Sequence, residues 1–416
     1  MARSFLAIAL VVCALLVSSI AAQDSITLDS VSGVTVTPMI SWGVSGSTYT
    51  YNGANPVSIS VSGNYAAMTS ILFSQTNAVA TITAAAGTAT STFINFNVAG
   101  GSLSIGSGVS ATFFGVGLGL GSSLSIPVSS SLSLATLSGS PTTLSVLGTL
   151  SVINGISFTT IATPTIGSNA IISSPGGVDL GFTNALTTTN FQAGGVVSSS
   201  GGNINIITVG GTIAGNLISS NGQLQVLGTL TSDLTITGTL SETSIFGINI
   251  NLSGAHNVFV SGALSASGRG NIVITGPNAP SIVVGGTISS SGQVQVTGTS
   301  ATTITLSANT TAKQLSLSSS ANSAIVTLSG PAALTGGLQL SASGTGGSIV
   351  VSSIVTGAST VTFFSLGSIS ITASGSISFT GAQSLTGTVA GGINIAGKLL
   401  GSTTTSTATV TLNPTG

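Results

Sequence analysis

Charge is almost absent from this chain of 416 residues, which carries four basic and five acidic side chains and a single histidine. An ordinary globular protein is about one-quarter charged. Four cations cannot neutralise a nucleic-acid backbone, so nucleic acid is excluded as a partner. Cysteine is equally scarce. The only one, Cys13, lies in the N-terminal apolar stretch, so disulfides do not hold the rest of the chain together. Aromatics make up 4% of the residues, and Ala, Val, Ile and Leu supply most of the apolar content. Disorder of the charged, weakly hydrophobic kind is excluded by a mean hydropathy of +0.69. What is abundant is Ser, Thr and Gly, the last numbering 57.

Residues 1–22 read as a secretory signal peptide. Arg3 precedes an apolar run over 5–17, and small residues at Ser18, Ser19, Ala21 and Ala22 offer a cleavage site before Gln23. The run is too short to cross about 30 Å of hydrocarbon as a helix, and no second long apolar run follows, so no membrane span is expected. The chain is therefore expected to be secreted and extracellular, on a cell surface or in a wall or matrix.

Beyond residue 23 the dominant pattern has a period of two. Ser102-Leu-Ser-Ile105, Ser123-Leu-Ser-Ile126, Asn203-Ile-Asn-Ile206, Gln223-Leu-Gln-Val226 and Gln293-Val-Gln-Val296 all alternate polar with apolar. Such alternation places one set of side chains on each face of a strand. The runs are short, rich in β-branched residues and punctuated by Gly, Ser-Gly or Asn-Gly. No segment beyond the signal peptide shows a helical period with caps, so the fold class is all-β.

Internal repeats narrow the architecture. Leu144-Ser-Val-Leu-Gly-Thr-Leu150 recurs at 224–230, Val209-Gly-Gly-Thr-Ile213 at 284–288, and Gly222-Gln-Leu-Gln-Val226 as Gly292-Gln-Val-Gln-Val296. The spacings of the last two differ by five, which reads as a turn over 214–221 that is longer than its counterpart over 289–291. Stacked coils tolerate such a change, because rungs need matching strands but not matching loops. A β-sandwich array or an up-and-down barrel shows the same alternation. The solenoid is preferred because tight corners suit Gly, Ser and Asn, and a narrow interior suits aliphatic side chains. Coils of about 20–25 residues with two or three strands each are expected.

The Leu-x-Val-x-Gly-x-Leu texture, with Ser and Thr at alternate positions, resembles secreted parallel β-helix proteins of the surface-adhesin and autotransporter-passenger type. The resemblance covers most of 66–400 and is architectural, so it transfers no site. It implies a single elongated parallel β-helix. The organisation read from it is a signal peptide (1–22), an N-terminal cap region (23–65), the solenoid (66–400) and a Thr-rich C-terminal end (401–416).

Every Trp and Tyr in the chain (Trp42, Tyr49, Tyr51, Tyr65) falls within 24 residues, beside Pro38 and Pro56. Two readings are open. The group caps the first rung, whose edge and core would otherwise be exposed, or it is an aromatic platform that stacks on sugar rings. The only cluster of acid–base residues is Asp233, Glu242, His256 and Arg269; two carboxylates with a histidine are the minimum for acid–base chemistry. The more economical reading is isolated surface charges or an ion pair, so no catalytic residue, metal site or cofactor is assigned and the chain is read as no enzyme. Asn251-Leu-Ser253 and Asn309-Thr-Thr311 are N-glycosylation sequons, whereas Asn413-Pro-Thr415 is blocked by its proline.

A surface with so few ions allows identical faces to approach closely. The expected role is a structural or adhesive rod of an extracellular coat, wall or matrix, with copies of itself or a neutral polysaccharide as partners. The alternative is an ice-binding β-solenoid, since Thr-x-Thr occurs at Thr35, Thr81, Thr235, Thr303 and Thr409. Their irregular intervals fit no common coil length.

Overall fold

In the computed structural model the chain is a single parallel β-solenoid of about 14 turns, with no helix among the described residues. The structure describes residues 24–29, 33–37, 42–53, 56–62, 69–73, 79–83, 88–380, 383–388, 392–401 and 410–415. Stacked at about 4.8 Å per turn, the coils make a rod on the order of 65 Å long. The signal-peptide segment and Tyr65 lie outside the described residues.

Alternation works as the sequence implies. In Ser123–Ile126 and Thr143–Val146 each leucine, isoleucine or valine is buried and each Ser or Thr is partly exposed. Successive coils pair in parallel and in register: Leu124 opposite Leu144, Ile248 opposite Ile272, coils of 20 and 24 residues. Inward columns of identical chemistry result, such as Val178, Ile204, Leu224, Ile248, Ile272, Val294, Leu315 and Leu338. All are buried. Each added coil therefore removes one more set of aliphatic side chains from water, at about 25 cal/mol per Å².

Each coil has three sides, and their outward columns differ in composition. One side carries Asp179, Asn205, Gln225, Asn249, Val273, Gln295, Ser316, Gln339 and Thr362 in consecutive rungs, and is termed here the amide face. The next carries Thr212, Thr235, Phe259, Val283, Thr305, Thr327 and Val350, the mixed face. The third carries Ser133, Ser151, Ser173, Ser198, Ile218, Ser241, Ser265 and Ser289, the serine face.

Corners are set by backbone contact. At the corner between the mixed and serine faces, Gly215, Gly238, Gly262 and Gly286 stack. A Cβ on any of the last three would lie 1.9 Å from the carbonyl oxygen of the glycine one coil earlier. No other residue fits there without moving the backbone apart. At the corner between the serine and amide faces, buried serines close the turn. The Ser199 hydroxyl accepts the Gly202 N–H (3.0 Å), Ser219 that of Gly222 (3.2 Å) and Ser290 that of Gly292 (3.1 Å).

The repeats need correction. Gly222–Val226 and Gly292–Val296 do occupy the same face, three coils apart. The other two pairs do not. Ile213 lies on the mixed face, where it pairs with Ile236, whereas Ile288 pairs with Leu264 on the serine face. Likewise Leu144 pairs with Leu124 in the sheet that precedes the serine-face strands, but Leu224 pairs with Ile204 on the amide face. The segment 214–221 is no lengthened turn, because it contains the strand Asn216–Ser219. The same corner grammar, a Gly after a hydrophobic strand end, is simply reused at different corners.

Among the described residues, antiparallel pairing occurs only at the N-terminal end. Gly33–Thr37 lies antiparallel to Asp24–Asp29, and Trp42–Ser45 to Thr48–Tyr51. Two reversed strands thus cover the first rung's edges, which would otherwise invite pairing with another chain. Parallel pairing itself begins within the expected cap, at Asp24–Asp29 and Thr48–Tyr51, and continues past residue 400 to Val410–Thr415.

Candidate functional site

The amide face is the candidate site. Its strands project Asn205, Gln225, Asn249, Asn251, Gln293 and Gln295 outward between buried Ile, Leu and Val, with Ile207 and Leu227 also on the outer side. Amides both donate and accept, and carry no charge. Several are fixed by their neighbours. Asn205 Nδ2 donates to Asp179 Oδ1, Gln225 Nε2 to Gln223 Oε1, and Gln295 Nε2 to Thr297 Oγ1 (3.1 Å). Corner asparagines also accept a backbone N–H from the following coil: Asn203 from Gln223 at 2.9 Å and Asn271 from Gln293 at 2.8 Å. The Oδ1 atom of Asn205 is buried without a hydrogen-bond partner.

Two grooves indent this face. The larger, of about 390 Å³, is lined by Asn154, Ser157, Asp179, Asn203 and Asn205. Its wall is low because Gly155 and Gly177, both at positive φ, turn the corner without side chains. The smaller, of about 140 Å³, is lined by Gln293, Gln314, Ser316, Gln339 and Thr362. A third depression, of about 350 Å³, lies on the serine face between Ser151, Ser173, Pro175, Ser198 and Ile218. Hydroxyl and amide groups dominate both amide-face grooves, with Asp179 the single ionisable group in them.

Of the two readings of the aromatic group, the packing of Trp42 and Tyr51 fits the cap over the first rung. Trp42 is 6% exposed and Tyr51 is fully buried; their rings meet at 5.0 Å, and Tyr51 contacts Phe73 edge-on at 6.2 Å. The Tyr51 hydroxyl donates to the buried carboxylate of Asp24. These two rings close the top of the core and present no face to a sugar. Tyr49 is partly buried against the same core.

The Asp233, Glu242, His256 and Arg269 group is split up. Asp233 and His256 are partly exposed with Asp233 Oδ1 and His256 Nδ1 3.7 Å apart, the one contact between acidic and basic side chains among the described residues. The Asn257 backbone N–H, followed by its side-chain amide, holds the Asp233 carboxyl below the usual carboxylate range, with His256 adding a smaller effect. Glu242 is fully buried at the serine–amide corner. Its carboxylate accepts the N–H groups of Ser244 and, at 3.0 Å, Gly247. Arg269 is exposed in a turn at φ +83°. The two carboxylates thus have separate structural tasks.

Both sequon asparagines, Asn251 on the amide-face strand Ile248–Ser253 and Asn309 in a turn, are exposed. Thr409 lies outside the described residues, and among those described the Thr-x-Thr segments at 235 and 303 do not stack into an array. Thr235 has Thr212 on one side but Phe259 on the other, and Thr305 follows Val283. Among the described residues no group of three His, Cys, Asp or Glu is placed to hold a metal ion, and no helix is long and apolar enough to cross a membrane. No protein-family model, curated protein or solved structure matches the chain.

Proposed function

We propose that the protein is a secreted structural and adhesive rod of an extracellular wall, coat or matrix, without catalytic activity, that binds neutral polysaccharide along its amide face and packs against copies of itself. The observation that carries this reading is the run of amide and hydroxyl side chains through successive rungs from Asp179 to Thr362. A sugar polymer offers hydroxyls that need both donors and acceptors, and amides supply both without the cost of desolvating an ion. Parallel ladders make the scaffold stiff, so this spacing is preorganised and little conformational entropy is lost on binding. Eight charges in the chain beyond residue 22 leave little repulsion between rods.

The test is retention of the purified secreted protein by insoluble cellulose and chitin, together with negative-stain imaging at high concentration. Retention by a neutral polymer and lateral bundles of rods are the expected outcomes. Retention by neither polymer would refute the polysaccharide-binding reading, and a protein that stays monomeric would refute the packing of copies.

A further inference from the structure

The polar corner between the serine and amide faces is interrupted early in the rod by Ile153, 63% exposed, and again near its middle by two adjacent apolar residues. Coils neighbouring the second interruption turn there through Ser200-Gly-Gly-Asn203 and Ser220-Asn-Gly-Gln223, whereas the interrupted one turns through Thr243-Ser-Ile-Phe-Gly247. Ile245 and Phe246 stand 68% and 56% exposed, side by side. The side chain that anchors the turn explains how it holds this shape. The inward column at this position reads Ser199, Ser219, Glu242, Ala266, Ser290. A serine hydroxyl reaches an N–H two or three residues on. The longer Glu242 side chain reaches the N–H groups of both Ser244 and Gly247, two and five residues on, and so braces a longer turn from inside. Ser244 Oγ adds a bond from the Phe246 N–H at 3.3 Å. A carboxylate bonded to two backbone N–H groups is a strong, directional anchor.

The position of the turn gives it meaning. Gly247 sits between Gln223 and Asn271 in the first outward column of the amide face. Phe246 is one residue outside that column. Along the rod it lies two rungs after the larger groove, at Asn205, and two rungs before the smaller one, at Gln293. That is about 10 Å to each. We infer that Phe246 is the apolar contact of a linear, neutral polysaccharide lying lengthwise on the amide face, its ring packed against the C–H face of a pyranose while the two flanking grooves hydrogen-bond the chain's hydroxyls. This rests on the amide face being the polysaccharide-binding surface. The brace holds the backbone that carries the exposed ring, and polar groups on both sides suit a ligand that is apolar on its ring faces and polar at its edges. From the first rung of the larger groove to the last of the smaller, the bound stretch covers about 40 Å.

The test compares the full secreted protein with F246A and with F259A, a matched Phe truncation on the mixed face, in binding isotherms on cellulose and chitin at low and high salt. Thermal unfolding of each variant reports whether the fold is kept. F246A is expected to weaken retention by the bound polymer about tenfold at either salt concentration, with an unchanged unfolding midpoint. F259A is expected to bind as the parent does. Equal retention of F246A and the parent would overturn the inference while leaving the amide face as the binding surface. If F246A instead lost self-association and kept polymer binding, the turn would be a contact between copies and the inference would likewise fail. Absence of any retention of the parent would remove the inference together with the reading it rests on.

Discussion

Replacing Glu242 by alanine tests the reasoning about buried polar anchors most sharply. The carboxylate is fully buried and accepts two backbone N–H groups, from Ser244 and Gly247. Truncation leaves both donors without a partner, at about 1–3 kcal/mol each. Ser244 is partly exposed and can regain water, whereas Gly247 is buried and cannot. Removing a buried polar group returns part of its desolvation cost. The net expectation is a loss of about 2–4 kcal/mol, concentrated in the 243–247 turn. Glu242→Ser copies the neighbouring coils. It restores the short-range bond but cannot reach Gly247, so about half of the loss should remain. Because a solenoid's coils unfold semi-independently, the assay is hydrogen exchange at the Ser244 and Gly247 amides alongside chemical denaturation. Unchanged protection at Gly247 in the alanine variant, or a serine variant as stable as the parent, would refute this account of the corner.

The remaining predictions follow from packing and charge. Gly238→Ala or Gly262→Ala places a Cβ 1.9 Å from a backbone oxygen of the preceding coil, and should cost several kcal/mol, read as a lowered unfolding midpoint. Leu224→Ala, in an inward column, should cost about 2–5 kcal/mol, while Gln225→Ala beside it on the outside should cost under about 1 kcal/mol; equal effects would contradict the assigned faces. The Asp233 carboxyl, depressed by the Asn257 amides, contributes stability that is present above the ordinary carboxylate range and lost as pH falls through its lowered pKa. An NMR titration should find Asp233 below the usual aspartate range, and Asn257→Ala, which removes the side-chain amide but keeps the backbone N–H, should raise it only part of the way. Trp42, the sole tryptophan, should emit at short wavelength and resist aqueous quenchers, and Trp42→Ala should lower stability without weakening polysaccharide binding.

Much of the fold was legible because a period of two has one structural meaning. Leu124 and Ile126 point inward because they alternate with Ser123 and Ser125, and the structure buries them. Coil length was legible only as a range, from the density of turn signals: about 20–25 residues per coil implies roughly 16–20 coils, and the structure has about 14 turns. Register was not. Val-Gly-Gly-Thr-Ile marks the end of one strand and the start of the next at any corner, so two copies of it need not share a face, and these do not. The distinct chemistry of the three faces was hidden for the same reason, since Asn205, Gln225 and Asn249 become neighbours only once the register is known. Glu242 did leave a signal: Leu240-Ser241-Glu242 puts it in phase with an inward leucine. Grouping it with Asp233 and His256 by sequence proximity obscured that phase. The aromatic cluster pointed to the right end of the molecule, but only the packing of Trp42 on Tyr51 distinguishes a lid on the core from a surface for sugars.

The amide column is proposed as the binding surface for an uncharged polymer. The direct measurement is a binding isotherm on insoluble neutral polysaccharide for the parent and for a variant with Asn205, Gln225, Asn249 and Gln295 all changed to alanine, at low and high salt. Saturable, salt-insensitive binding by the parent that is lost in the variant is the predicted result. Retention that vanishes with added salt, or that survives loss of the four amides, would contradict it.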